Sequence, residues 1–182
     1  LEFVKAWAGH GFGSVLIFLV VGTILTLVLQ SSSATMAITL IMLSMGWIPF
    51  NMACAMVLGE NIGTTITANI AASVGNVNAR RAALTHTVFN IIGVIWAIAL
   101  FKPFLLLVGS IIALLGLPNP AVDGFTVTAE QGGETAALYG ISMLHTLFNC
   151  INTLLLVWFI PLIIKFVSTA IKDPKVTQAK EV

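Results

Sequence analysis

Charged side chains are scarce in this sequence. Of its 182 residues only 8% are Asp, Glu, Lys or Arg, whereas 58% are hydrophobic. Soluble domains carry about 25% charged residues. With a mean hydropathy of +1.05 there is too little polar surface to cover a water-soluble globule. The chain therefore reads as an integral membrane protein with a single transmembrane domain. A strong excess of either sign is missing too: the net charge is +1, so no nucleic acid or other acidic polymer is implied as a partner. Cysteine is limited to Cys54 and Cys150, both inside apolar stretches. They read as buried thiols acting as small apolar residues rather than as a disulfide or metal pair. No basic segment with a short apolar core and a cleavage site precedes the bulk of the chain, so no signal peptide is expected. With Leu1 first, the chain is expected to be an excised segment or an internal half of something longer.

What is present is a series of apolar stretches, at 14–29, 34–48, 52–58, 66–74, 82–101, 104–117 and 137–166. A full membrane span needs about 20 apolar residues, and several of these fall short. The short ones come in pairs around polar insertions. The first pair flanks Gln30–Ser33 and the second flanks Gly59–Thr65. Short or glycine-interrupted apolar segments point to the broken helices of secondary transporters.

The loops carry an asymmetry of charge. The loop 75–81, GNVNARR, holds Arg80 and Arg81, and the segment after Ile164 holds Lys165, Lys172, Lys175 and Lys180. The segment 118–135 holds Asp123, Glu130 and Glu134 and no Lys or Arg. By the positive-inside rule the arginine loop and the tail are cytoplasmic and the acidic segment is outside. Residues 82–117, with Lys102 and Pro103 in their middle, must then cross a net odd number of times. Either they form one span plus a re-entrant or interfacial piece, or the orientation is reversed. Trp7, Trp47 and Trp158 suit interfacial positions. An internal echo also stands out: His-Thr-x-Phe-Asn occurs at 86–90 and again at 145–149, which suggests matched packing positions on two helices.

Backbone at membrane depth must satisfy its own hydrogen bonds unless it lines a watery cavity. A helix broken at Gln30–Ser33 frees N–H and C=O groups there. Gln30 adds an amide, and Ser31, Ser32, Ser33 and Thr35 add hydroxyls. Uncharged oxygens suit sodium, and a helix N-terminus suits an anion. Isolated serines in membrane helices bond only the preceding turn or a neighbouring helix. Four consecutive polar residues in an apolar run favour function. In the second insertion, Gly59 and Gly63 permit unwinding or close backbone approach. Asn61, Thr64, Thr65 and Thr67 offer oxygens there. A carboxylate at a helix centre costs roughly 2.5–3.5 kcal/mol on insertion scales. Glu60 is thus functional, neutralised by a proton or a cation, or else at the wet interface. His86 and His145 read as helix–helix hydrogen-bond partners rather than metal ligands, since no carboxylate or cysteine stands at ligand spacing.

Taken together, QSSSAT at 30–35, GENIGTT at 59–65 and RRAALTHTVFN at 80–90 resemble one repeat of the type II sodium–phosphate cotransporters. The resemblance extends over about residues 13–166 and is greatest to the second repeat of bacterial members, where an HTLFN-type helix ends the membrane domain. It implies an all-α polytopic membrane protein: one inverted-topology repeat with broken or re-entrant helices over 1–166, and a cytoplasmic tail over 167–182. It implies sodium-coupled phosphate transport across the plasma membrane, the inner membrane of a bacterium, with sodium as coupling ion and no cofactor. Carried onto this chain, Ser31, Ser32 and Ser33 match phosphate-binding positions. Gln30, Thr35, Asn61, Thr64 and Thr65 match sodium-binding ones, and the role of Glu60 stays open.

The family pattern has two Gln-Ser-Ser-Ser motifs, and this chain has one. A second repeat, in the same or another chain, is therefore the expected partner, beside the lipid bilayer, sodium and phosphate. The helical cytoplasmic regulatory domain of some bacterial members has no counterpart in the sequence. Two other classes compete. A non-transporting scaffold or phosphate sensor would bind without flux. An intramembrane serine hydrolase would use Ser31, Ser32 or Ser33 with a histidine base, but no Gly-x-Ser-x-Gly elbow is present.

Overall fold

The computed structural model describes residues 11–128 and 132–173, and its regular structure there is all helical. Trp7, Glu130, Lys175 and Lys180 lie outside the described residues, as does most of the expected tail.

The first helix, α1 (Phe12–Leu29), contains no charged residue. It ends where the insertion begins. Gln30 turns into the left-handed region at φ 52°, and Ser31 is extended. The helix break expected at Gln30–Ser33 is thus present, but confined to Gln30 and Ser31. Ser32 and Ser33 already form the first turn of α2 (Ser32–Ser44). The Ser31 hydroxyl caps that turn, accepting the Ala34 N–H at 3.2 Å. Thr26 donates to Thr35 at 3.1 Å across the break, so α1 and α2 pack against each other.

The second insertion is not broken. Helix α3 (Phe50–Ala72) runs straight through Gly59–Thr65, against the expectation of two separate short segments. The polar side chains bond back to their own helix. Asn61 donates to the Val57 carbonyl at 2.9 Å, Thr64 to Glu60 at 2.8 Å and Thr65 to Ile62 at 2.8 Å. Those donors are satisfied without opening the backbone ladder. The glycines serve close approach instead. A methyl group at Gly59 would run into the Leu19 carbonyl, and one at Gly22 into the Met56 carbonyl. Thr23 fastens the contact, donating to the Gly59 carbonyl at 3.0 Å. Small residues that bring backbones together are the usual means of packing helices in lipid. Every residue from Met52 to Glu60 is buried, so α3 is the central helix.

Asn76 caps α4 (Val77–Ala99), accepting the Ala79 N–H at 2.9 Å. A separate fourteen-residue helix, α5 (Phe101–Leu114), follows. Residues 82–117 thus comprise most of one long helix and one short one. The apolar stretch 137–166 is not one continuous helix. It divides into α6 (Gly133–Leu156), a 3-10 turn at Val157–Phe159 and α7 (Ile160–Ala170). Pro161 has no N–H to give the ladder and crowds the carbonyl four residues earlier, so the chain tightens just before it.

Helices α4 and α6 are tied by buried Asn152, which accepts from Trp96 Nε1 at 3.1 Å and donates to the Phe89 carbonyl at 3.0 Å. Trp96 stacks on Phe148 with centroids 5.9 Å apart and meets Phe104 edge-on at 5.4 Å. At one end of the molecule Arg81 donates to the Ile171 carbonyl at 2.9 Å and pairs with Asp173 at 3.1 Å. The arginine loop and the start of the tail therefore share that end.

Among the described residues, three stretches are long and apolar enough to cross a membrane: Phe12–Leu29, Val77–Ala99 and Gly133–Ala170. Leu16, Val20, Ile24 and Val28, four residues apart, leave an apolar stripe exposed along α1. That surface fits lipid rather than water. Cys54 is buried as expected. Cys150 is exposed, a correction to the expectation of two buried thiols, because it falls on the outward face of α6; both are free.

Candidate functional site

Four helices line an open cavity of about 420 Å³. Its walls are built by turns of helix rather than by loops. Helix α2 contributes Ser32, Ser33 and Met36, and α3 contributes Glu60, Asn61 and Thr64. Helix α4 adds His86, Phe89 and Asn90, and α6 adds His145 and Asn149. The i, i+4 spacing places each His above its Asn on one helical face.

The α2 wall is a helix N-terminus. The first N–H groups of a helix have no intrahelical acceptor. Ser31 takes the Ala34 N–H, leaving those of Ser32 and Ser33, beside two hydroxyls, for whatever occupies the cavity. The α3 wall is acidic. Glu60 is only 2% exposed, and its Oε1 accepts the Thr39 hydroxyl at 2.9 Å. No Lys or Arg among the described residues lines the cavity. An anion here meets neutral donors rather than a guanidinium clamp.

Of the residues expected from sequence, the cavity gathers Ser32, Ser33, Asn61 and Thr64, with Glu60. Gln30, Ser31, Thr35 and Thr65 are not among its lining residues. Gln30 and Ser31 immediately precede the lining serines. Thr35 is buried and bonds Thr26 and the Ser31 carbonyl, while buried Thr65 donates to Ile62. The histidines depart from expectation. Neither imidazole joins two helices by a hydrogen bond among the described residues; both line the cavity. Asn90 and Asn149 went unassigned in the sequence. The repeated His-Thr-x-Phe-Asn core was the signal that pointed to them, but periodicity does not tell a packing face from a cavity face. A second cavity, of about 640 Å³, lies beside α5 and the acidic segment and holds none of the motif residues.

The family model for the Na+/Pi-cotransporter matches residues 4–124, including both polar insertions and the first His-Thr-x-Phe-Asn core. The chain belongs to the Na+/Pi-cotransporter family. Within its relatives, the uncharacterized protein YqeW of Bacillus subtilis strain 168 is 40% identical over 103 residues, 57% of this chain and 32% of the relative. Sodium-dependent phosphate transport protein 2C of Homo sapiens is 32% identical over 141 residues, 75% of this chain and 21% of the relative. YjbB of Escherichia coli K12, named as a candidate inorganic phosphate export protein, is 24% identical over 161 residues, 88% of this chain and 26% of the relative. The chain thus spans a third or less of the length of these relatives. Transport and export, not catalysis, are what the family and its named members describe. No solved structure matches the chain.

Proposed function

We propose that the chain carries inorganic phosphate across the plasma membrane, coupled to sodium, as one half of a symporter that needs a second repeat. The observation that carries this reading is the convergence of family-motif residues from α2 and α3 on one cavity. Phosphate sits against the Ser32 and Ser33 hydroxyls and N–H groups, where helix-terminal donors favour an anion. Sodium sits against the side-chain oxygens of α3. Gln30 and Ser31 shape the turn that presents those donors, and the other cavity wall comes from the second repeat. Each bound ion makes the other's binding more favourable, which couples them without an arginine. Alternating access then exposes the site to either side. The membrane potential adds about 2.3 kcal/mol per net charge moved per 100 mV.

The test is ³²P-phosphate uptake into vesicles carrying the complete transporter, with an inward sodium gradient or with choline. Wild type should take up phosphate only with sodium. Ser32→Ala should lose most of that uptake while the protein remains in the membrane. Uptake that ignores sodium would remove the coupling, and unimpaired uptake by Ser32→Ala would remove the serine wall from the site.

A further inference from the structure

The second cavity, of about 640 Å³, falls within the size range of ligand pockets, about 300–1,000 Å³. It lies at a defined level of the molecule. Helices α1 and α3 run parallel, since Gly22 meets Met56 and Gly63 meets Thr26. Their first residues therefore share one end. Helix α4 starts at the opposite end, with Arg81, and returns to this one at Ala99. Phe12 and Ala99 both line the cavity; Phe12 opens one span-length apolar stretch and Ala99 closes another. Trp47, just before Pro49 in the cavity wall, is exposed, as suits an aromatic side chain at a membrane interface. A cavity where apolar spans begin and end stands at the depth of lipid headgroups.

The walls are largely apolar, with Phe12, Val15, Phe50 and Leu106 among them, but Lys102 and Asp123 bring two opposite charges to the same space. Both are exposed and neither is paired: the ion pair among the described residues is Arg81 with Asp173. Lys102 stands in the first turn of α5, the end of a helix that disfavours a cation, and that turn holds no acidic residue. An anion there would answer both the ammonium and the helix end. Asp123 lacks a cation. A zwitterionic phospholipid headgroup carries both charges a few bonds apart. The two common kinds differ in chemistry. Ethanolamine ends in a primary ammonium, which, like that of lysine, has three N–H donors for a carboxylate. Choline ends in a quaternary nitrogen with none. The apolar part of such a lipid also has a path. Phe12 continues the exposed stripe of Leu16, Val20, Ile24 and Val28 at the same four-residue spacing, so the stripe leads from the cavity along the span.

We propose that this cavity binds the headgroup of phosphatidylethanolamine, with Lys102 on its phosphate, Asp123 on its ammonium and one acyl chain along the α1 stripe. The lipid neutralises both charges, and it covers apolar wall that would otherwise meet water at the interface. The site is separate from the cavity of the motif residues and does not depend on the transport reading.

The experiment is native mass spectrometry of the purified full chain in detergent, with phosphatidylethanolamine, phosphatidylcholine and phosphatidylglycerol of identical acyl chains added in equal amounts. Wild type should retain one phosphatidylethanolamine about tenfold over phosphatidylcholine, the ratio that about 1.4 kcal/mol confers. Asp123→Asn should bring that ratio to near parity, because the ammonium loses its counter-charge. Lys102→Met keeps the apolar stem and should lower retention of both zwitterions severalfold. Asp173→Asn, at the other end, should behave like wild type. Circular dichroism checks each fold; should Lys102→Met fail to fold, Asp123→Asn decides. Equal retention of phosphatidylethanolamine and phosphatidylcholine by wild type overturns the proposal, as does a preference for phosphatidylglycerol, which would make Lys102 a plain anion site. So does an unaltered ratio in Asp123→Asn, or unaltered retention in a folded Lys102→Met.

Discussion

Substituting Asn152 by leucine tests the tie that sets the distance between α4 and α6, and with it the width of the cavity. Asn152 is wholly buried, and its carboxamide bridges the Trp96 indole at 3.1 Å and the Phe89 carbonyl at 3.0 Å. Leucine has a similar size and no polar atom, so the substitution removes two hydrogen bonds with little change in volume. The Phe89 carbonyl lies within α4 and keeps its helical partner. The Trp96 N–H loses its acceptor. A hydrogen bond contributes about 0.5–1.5 kcal/mol net, and a buried donor left alone costs about 1–3 kcal/mol. Inside membranes the measured average is nearer ~0.6 kcal/mol. The expected loss is therefore about 1–3 kcal/mol, the lower end if lipid-like surroundings set the scale. Equilibrium unfolding in mixed micelles, followed by far-UV circular dichroism, measures it. Trp96→Phe removes the donor from the other side, and a double-mutant cycle isolates the pair, with an expected coupling of about 0.5–1.5 kcal/mol. A coupling within about 0.3 kcal/mol of zero would refute the reasoning. So would an Asn152→Leu protein more stable than wild type, since the tie would then cost more than it contributes.

Two further outcomes follow from other parts of the molecule. Gly59→Ala pushes a methyl group into the Leu19 carbonyl, so it should destabilise by about 1–3 kcal/mol in the same assay, whereas Gly13→Ala meets nothing within 4 Å and should be neutral or slightly stabilising. Equal effects at both positions would mean that α1 and α3 do not meet through Gly59. Orientation can be read in a Cys150→Ser background, since Cys150 is exposed and Cys54 buried. A cysteine at Val122 in the acidic segment should react with an impermeant maleimide added to intact cells, and one at Lys172 should not; the reverse pattern inverts the topology.

The class of the molecule was legible from composition, because lipid demands apolar side chains whatever the tertiary arrangement. The break at Gln30 was legible too. A polar cluster in an apolar run supplies its own cap, and a serine beside the helix N-terminus stabilises the break locally, as Ser31 does with the Ala34 N–H. The family followed from the order and spacing of motifs, which survive as sequence. Local chemistry of this kind needs no knowledge of what lies across the fold.

What packs against what was decided only in three dimensions. Gly59–Thr65 has the composition of a break, yet α3 stays continuous there because its threonines and Asn61 bond back to carbonyls of their own helix. Whether its glycines unwind or pack depends on a partner, and the partner of Gly59, the Leu19 carbonyl on α1, lies 40 residues away in the sequence. Periodicity put His86 with Asn90, and His145 with Asn149, on one face each. It did not say that those faces meet round a cavity with Glu60. That depends on how α4 and α6 are clasped by Asn152 and Trp96, a contact between residues 56 apart in the chain. A helical sequence specifies its faces; their neighbours are chosen by the packing of all the helices together.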